Sequence, residues 1–237
     1  MTHFNWMQLI PGVGHHYSHV ATAAFVTLLL TLFSLIAYIA YKKNPTFDPA
    51  DKFSVKALAE VLTEFINGLV DTVVGPHGKK YVPMFGAIFL YILVNNLMGL
   101  VPGMTPATDN FNTTLAVGLF TFVAYTALGI KEHGGAYIKQ FTGHLPLNLS
   151  PLLLLLPLMF VIELISHAVR PMSLGLRLRG NMVGDHTVLG IFTDLVPVGI
   201  PVIFYLLGLF VCFVQAFVFT LLSMVYVSMA TAHDDHH

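Results

Sequence analysis

Residues 157–190 read PLMFVIELISHAVRPMSLGLRLRGNMVGDHTVLG, and this stretch decides how the rest of the chain is interpreted. It continues an apolar run that begins at Leu152, so it starts as a membrane span. Polar side chains then recur at steps of 3, 4, 3, 4, 4 and 4 residues: Glu163, Ser166, Arg170, Ser173, Arg177, Asn181 and Asp185. Those steps keep side chains on one face of a helix. The sequence therefore predicts one helix with a polar track about 33 Å long, close to the roughly 30 Å of a hydrocarbon core.

Three arginines, Arg170, Arg177 and Arg179, lie in this helix. A charged side chain at the bilayer centre costs roughly 2.5–3.5 kcal/mol on insertion scales. Arg177 lies in the middle of the segment, too far from the interface to snorkel, so we expect its guanidinium to face protein, water or a counter-charge. The alternative is a structural arginine, salt-bridged inside a helix bundle. An ion pathway is favoured by the polar groups that accompany it: Glu163, Asn181, Asp185, His167 and His186.

The composition indicates an integral membrane protein of the helical type. Of 237 residues, 56% are hydrophobic and 10% charged, with a mean hydropathy of +0.76, and the long apolar runs argue against barrel strands. The net charge of −1 gives no reason to expect nucleic acid. Four histidines lie near the N-terminus: His3, His15, His16 and His19. They could bind a metal, but because no carboxylate or cysteine accompanies them we expect a solvated or interfacial terminus, with no metal site and no cofactor.

We predict an all-α fold with five membrane spans in a single membrane domain, residues 1–237. The spans cover about residues 20–41, 82–101, 115–130, 152–189 and 202–230. Residues 54–74 differ, because their apolar positions repeat with the helical period and the opposite face is polar and acidic on balance. We therefore expect an amphipathic helix that lies at the membrane surface or against a partner.

The lysines predict the orientation of the chain. All eight lie in the connections 42–81 and 131–149, on the side of the C-terminus: Lys42, Lys43, Lys52, Lys56, Lys79, Lys80, Lys131 and Lys139. The N-terminus and the connections 102–113 and 190–200 contain neither lysine nor arginine. The positive-inside rule then places the N-terminus outside and the C-terminus in the cytoplasm, with the amphipathic helix on the cytoplasmic side.

The segment from Arg170 to Asn181, RPMSLGLRLRGN, with Gln215 in a following apolar helix, resembles subunit a of the F-type ATP synthase. The resemblance covers nearly the whole chain. It implies a non-catalytic, multi-pass subunit of the bacterial plasma (inner) membrane that couples an ion gradient to ATP synthesis. Expected partners are the lipid bilayer, a peripheral-stalk subunit and a rotating ring of small subunits, each with a carboxylate. Two offset half-channels would serve that carboxylate, with the last two long helices tilted along the ring.

The resemblance also implies roles by position. Arg177 matches the essential charge; the outer half-channel is matched by Asn181, Asp185, His186 and Gln215, and the cytoplasmic one by Glu163, Ser173 and Arg170. Gly208 occupies a position where the family often has an ionisable residue. We expect Asp185 to take the place of that missing ionisable group. Arg179 points some 200° away from Arg177, so we expect it to face another part of the stator or a lipid head group.

Other functional classes fit less well. A secondary ion-coupled transporter is the main alternative, but such folds often contain two repeated halves, and no internal repeat is visible in this sequence. A membrane-embedded hydrolase needs a nucleophile with a base or a metal cluster, whereas Ser166 and His167 are adjacent and diverge on a helix. A purely structural subunit leaves the cost of the charges unexplained. The ion is expected to be the proton, with Na⁺ left open.

The orientation can be tested by cysteine labelling of intact cells. A cysteine placed at Asn110 should react with a membrane-impermeant reagent, because this residue lies in an outer connection. A cysteine at Lys139 should not react, because that connection is cytoplasmic. The parent chain, with Cys212 as its single cysteine, gives the background, and reversed labelling would contradict both the orientation and the assignment of the half-channel sides.

Overall fold

Six long helices make up most of the structure, a computed structural model that describes residues 6–9, 17–43, 54–134, 156–195 and 199–231. They are α1 (Ser18–Lys43), α2 (Val55–Val73), α3 (Val82–Met98), α4 (Phe111–His133), α5 (Leu156–Leu195) and α6 (Ile200–Thr231). Short 3-10 turns lie at Trp6–Leu9, Pro76–Tyr81 and Ala107–Asp109. The described ranges contain no strand, so the predicted all-α class is confirmed. Outside the described residues lie Leu152, Lys52, Lys139, His3, His15 and His16.

Four helical segments within the described ranges are long and apolar enough to cross a membrane. They are Ser18–Lys43, Pro76–Met98, Phe111–His133 and Pro201–Thr231, and they correspond to the predicted spans 20–41, 82–101, 115–130 and 202–230. The helix α5 is longer than any of them, with 40 residues, but the charges of the polar track interrupt its apolar surface. Length and apolar composition therefore identify four candidate spans. The assignment of α5 as a fifth span depends on the spacing of its polar side chains.

Local signals explain where the helices begin and end. Asn110 Oδ1 accepts a hydrogen bond from the Asn112 amide at 2.9 Å, and this N-cap starts α4 four residues before the predicted span. The helix α5 continues to Leu195, six residues past the predicted end at 189. Gly190 lies in this extension, and one glycine costs only about 1 kcal/mol relative to alanine in a helix. That cost does not stop a helix whose backbone hydrogen bonds can continue.

Aromatic side chains hold α2 to α3 and α6. The ring of Phe65 lies 5.6 Å from that of Phe89 and 6.2 Å from that of Phe217, measured between centroids. Ile66 and Val70 of the same helix are buried. The start of the predicted apolar stripe is not covered in this way, because Leu58 is 44% exposed and Val61 63% exposed.

Glycines set the close packing of α4 against α5. A Cβ added to Gly118 would lie 2.5 Å from the carbonyl oxygen of Pro171, and one added to Gly175 would lie 3.2 Å from the backbone of Leu115. Small residues let helix backbones approach in this way. This contact fixes which face of α5 is buried and which face points outward.

The variant Gly118→Ala tests the contact. The added methyl group would overlap the Pro171 carbonyl, so the helices must separate, and overpacking of this kind costs about 1–3 kcal/mol. We expect a lower melting temperature for the purified complex in detergent. Gly86→Ala is the matched control, because no described atom lies within 4 Å of a Cβ added there and alanine favours helix. Equal melting temperatures of the two variants would contradict the packing described here.

Candidate functional site

Arg177 lies on the face of α5 that points away from the rest of the chain. The adjoining face is buried at Leu174, Leu178 and Met182. The Arg177 side chain is exposed, and in the described part of the chain no ion pair or hydrogen bond involves its guanidinium. An unpaired arginine is costly in a bilayer, so this group requires water or a partner from another chain.

One helical turn further along, Asn181 connects α5 to α6. Its Nδ2 donates a hydrogen bond to Gln215 Oε1 at 2.5 Å. Gln215 is only 4% exposed, and its Nε2 has no hydrogen-bond partner among the described residues. A buried polar group without a partner costs about 1–3 kcal/mol, so this amide lies where a water molecule would be stabilising.

Asp185 lies directly against Gly208. A Cβ added to Gly208 would be 2.8 Å from Asp185 Oδ2. The carboxylate therefore occupies the space that a side chain at position 208 would fill. The two positions that the sequence analysis linked are in contact, and the role of Asp185 as the replacement acid stays a prediction.

His186 packs against the end of α3. A Cβ added to Gly99 would lie 2.7 Å from His186 Cε1, well inside van der Waals contact, and His186 Nε2 is buried without a hydrogen-bond partner in the described ranges. One turn before Gly99, the buried Asn96 accepts a hydrogen bond from Thr108 Oγ1 at 2.8 Å. Sequence reasoning missed Gly99 and Thr108 as neighbours of the track. Neither residue type signals a site until its neighbours in space are known.

The N-terminal half of the track forms a second group of polar side chains. His167 Nδ1 lies 3.2 Å from Glu163 Oε1, and Arg170 Nη2 lies 3.9 Å from the same oxygen. The Arg170 guanidinium also stacks over the ring of Tyr226 in α6, 5.3 Å from its centroid, a cation–π contact. Ser173 lies on the exposed face between this group and Arg177.

The third arginine of the helix contacts a different part of the chain. Arg179 Nε donates a hydrogen bond to the backbone oxygen of Asp109 at 3.3 Å, in the 3-10 turn before α4. This contact places the Arg179 side chain at the connection between α3 and α4, and the expectation that it faces another part of the stator or a lipid head group stays a prediction. The hydrogen bond ties α5 to that connection.

The track thus has an uncovered cation in its middle and a group of polar side chains on each side of it. The described residues include no group of three or more histidine, cysteine, aspartate or glutamate side chains placed to hold a metal ion. Intramembrane charges of this kind are typical of ion pathways. The fold and the site together define a helical membrane protein of the ion-conducting class.

Comparisons with known proteins identify the family. The family described as "ATP synthase A chain" matches residues 23–228. The chain is 55% identical to "ATP synthase subunit a" of Bdellovibrio bacteriovorus over 233 residues, which cover 98% of this chain and 99% of the relative. It is 42% identical to "ATP synthase subunit a 1" of Pelobacter propionicus over 216 residues, 90% of this chain and 88% of the relative. The chain belongs to the ATP synthase A chain family, and the resemblance drawn from the sequence is confirmed.

Proposed function

We propose that this chain is the membrane-embedded, non-catalytic stator subunit that conducts protons through two offset half-channels against a rotating ring of small subunits. Membership of the family implies proton translocation in the membrane sector of the F-type ATP synthase. The observation that carries the finer mechanism is the exposed guanidinium of Arg177, which has no partner in the described ranges and lies between two groups of polar side chains. In this proposal, the ring supplies the missing counter-charge.

The chemistry of arginine suits this position. A guanidinium keeps its proton at any usable pH, so it favours the ionised form of each ring carboxylate that passes. It thereby promotes release of the proton and blocks a direct leak between the half-channels. Gly180 and Gly184 flank the same exposed region, and no described atom lies within 4 Å of a Cβ added to either. That smooth surface would allow a ring helix to approach closely.

The length of the last two helices supports a tilted arrangement. With 40 residues, α5 is about 60 Å long, twice the roughly 30 Å of a hydrocarbon core. The 32 residues of α6 give about 48 Å. We propose that both lie tilted along the ring, with α5 as the fifth span of a single membrane domain. We further propose that α2 is the amphipathic helix on the cytoplasmic side of a bacterial plasma membrane, and that lipid and the peripheral-stalk subunit cover exposed apolar faces.

The two polar groups correspond to the two half-channels. We assign Asn181, Asp185, His186 and Gln215 to the outer one, because the positive-inside orientation places the C-terminal half of α5 nearer the outside. By the same orientation, Glu163, Arg170 and Ser173 belong to the cytoplasmic half-channel. The Asp185 carboxylate, which lies where a side chain at 208 would be, supplies the acidic group of the outer path.

Replacement of Arg177 tests the mechanism. Arg177→Ala should abolish ATP synthesis driven by the proton gradient, while the subunit still inserts, because loss of an unpaired charge eases insertion. Passive proton leak should rise, since the charge between the half-channels is gone. Arg177→Lys should also fail or nearly fail, because an ammonium lacks the planar fork and loses its proton more readily when desolvated. Synthesis and leak can be measured in membrane vesicles.

The other two arginines are the matched controls. Arg170→Gln and Arg179→Leu remove a positive charge from the same helix, but these side chains contact Glu163 and Asp109 of their own chain. Both variants should retain substantial ATP synthesis. Normal synthesis by a fully assembled Arg177→Ala complex would refute the proposed mechanism.

The outer half-channel is tested at His186. Histidine is the side chain that can gain and lose a proton near physiological pH, so His186→Ala should slow proton flux and change its dependence on the outer pH. The measurement is flux in vesicles at a series of outer pH values. An unchanged profile would remove His186 from the path. Lower thermal stability with normal flux would assign it to helix packing against Gly99 instead.

A further inference from the structure

A small cavity lies beside the N-terminal half of α5, next to the Glu163 and Arg170 side chains of the polar track. Its volume is about 40 Å³, and it is lined by Tyr125, Glu163, His167, Arg170, Tyr226, Met229 and Ala230. A cavity needs roughly 10–15 Å³ to accommodate a water molecule, provided that polar groups surround it. This one meets both conditions, so water can lie next to these side chains inside the helix bundle.

His167 is more enclosed than either charged residue of this cavity, Glu163 or Arg170. Its side chain is nearly buried, with the residue 7% exposed. Its Nδ1 lies 3.2 Å from Glu163 Oε1 and 3.1 Å from the Glu163 backbone oxygen. The imidazole therefore contacts the carboxylate that we assign to the cytoplasmic half-channel. The sequence placed His167 beside the polar track but gave it no function.

Of the two side chains that contact the Glu163 carboxylate, His167 is the one that can exchange a proton with it. Among the residues that line the cavity, Glu163 and Arg170 are charged, and both belong to α5; α4 contributes Tyr125 and α6 contributes Tyr226. Arg170 Nη2, 3.9 Å from Glu163 Oε1, already supplies a permanent positive charge. A second cation is therefore not needed to pair Glu163. A histidine adds what arginine lacks, a proton that can be gained and lost near neutral pH.

We propose that His167 is a proton-relay residue of the cytoplasmic half-channel, which passes protons between the cavity water and the Glu163 carboxylate. This inference rests on the proposed function. A proton arriving through water binds the neutral imidazole, and the Nδ1 proton moves to the ionised carboxylate. Glu163 then releases that proton to the cytoplasm, and the imidazole returns to its starting tautomer through exchange with water. The net result is one proton moved, with both side chains unchanged.

The test separates the two sides of the membrane. Vesicles that contain the whole complex are prepared with the pH of each side set independently, and proton flux is measured. Histidine is the side chain that can gain and lose a proton near neutral pH, so a relay through His167 adds to the flux a component that depends on the cytoplasmic-side pH. His167→Gln keeps a polar side chain but cannot titrate. It should remove this component when the cytoplasmic-side pH is varied and leave the response to outer pH intact.

Two further variants make the outcome decisive. His186→Gln should show the reverse pattern, with an altered response to outer pH and a normal response to cytoplasmic pH. Glu163→Gln removes the proton acceptor and leaves the imidazole, so it should also remove the component assigned to His167. This second route applies if His167→Gln does not assemble.

A normal cytoplasmic-side profile in assembled His167→Gln or Glu163→Gln would overturn the proposed relay. That result would leave the Arg177 variants unaffected, so failure of the relay and failure of the stator mechanism are distinguishable. Reduced melting temperature with a normal profile in His167→Gln would show that His167 only packs α5 against α4.

Discussion

The rest of the arrangement depends on one electrostatic constraint: the charge of Arg177 has no partner in the described part of its own chain. A guanidinium cannot escape the cost of burial by losing its proton, so the charge must be met by water or by another molecule. The packing of α5 enforces this situation. Gly118 and Gly175 bring α4 so close that the face with Leu174 and Leu178 is buried, and the face with Arg177 is turned outward.

The helices could be predicted from the sequence because apolar runs and helical periodicity are local properties. Four spans follow from hydropathy alone, and α5 follows from the spacing of its polar residues. Their ends were less predictable, since they depend on single hydrogen bonds such as that of Asn110 and on the small cost of Gly190. The apolar stripe of α2 was predicted as a whole, but only the part from Leu62 onward packs on the core. Periodicity shows which face is apolar and not what covers it.

The contacts of the site could not be predicted, because they depend on how distant helices cross. The relation between Asp185 and Gly208 was suggested by resemblance to a family, whereas the position of His186 against Gly99 had no signal in the sequence. In both pairs a glycine accommodates an ionisable side chain. A glycine in a span is usually interpreted as a site of helix packing. Here the space that it leaves is filled by a titratable group, and such a function becomes visible only when both helices are placed.

The three arginines of α5 show why contacts decide function where residue type does not. All have the same permanent charge and lie within ten residues of one another. Arg170 is held by Glu163 and the ring of Tyr226, and Arg179 by the backbone of Asp109. Arg170 therefore pairs with a carboxylate of its own chain, and Arg179 holds the connection between α3 and α4. Arg177 has no such contact among the described residues, so its field acts on whatever approaches the exposed face of α5. In the proposed mechanism, this free charge is what a ring carboxylate meets as it passes.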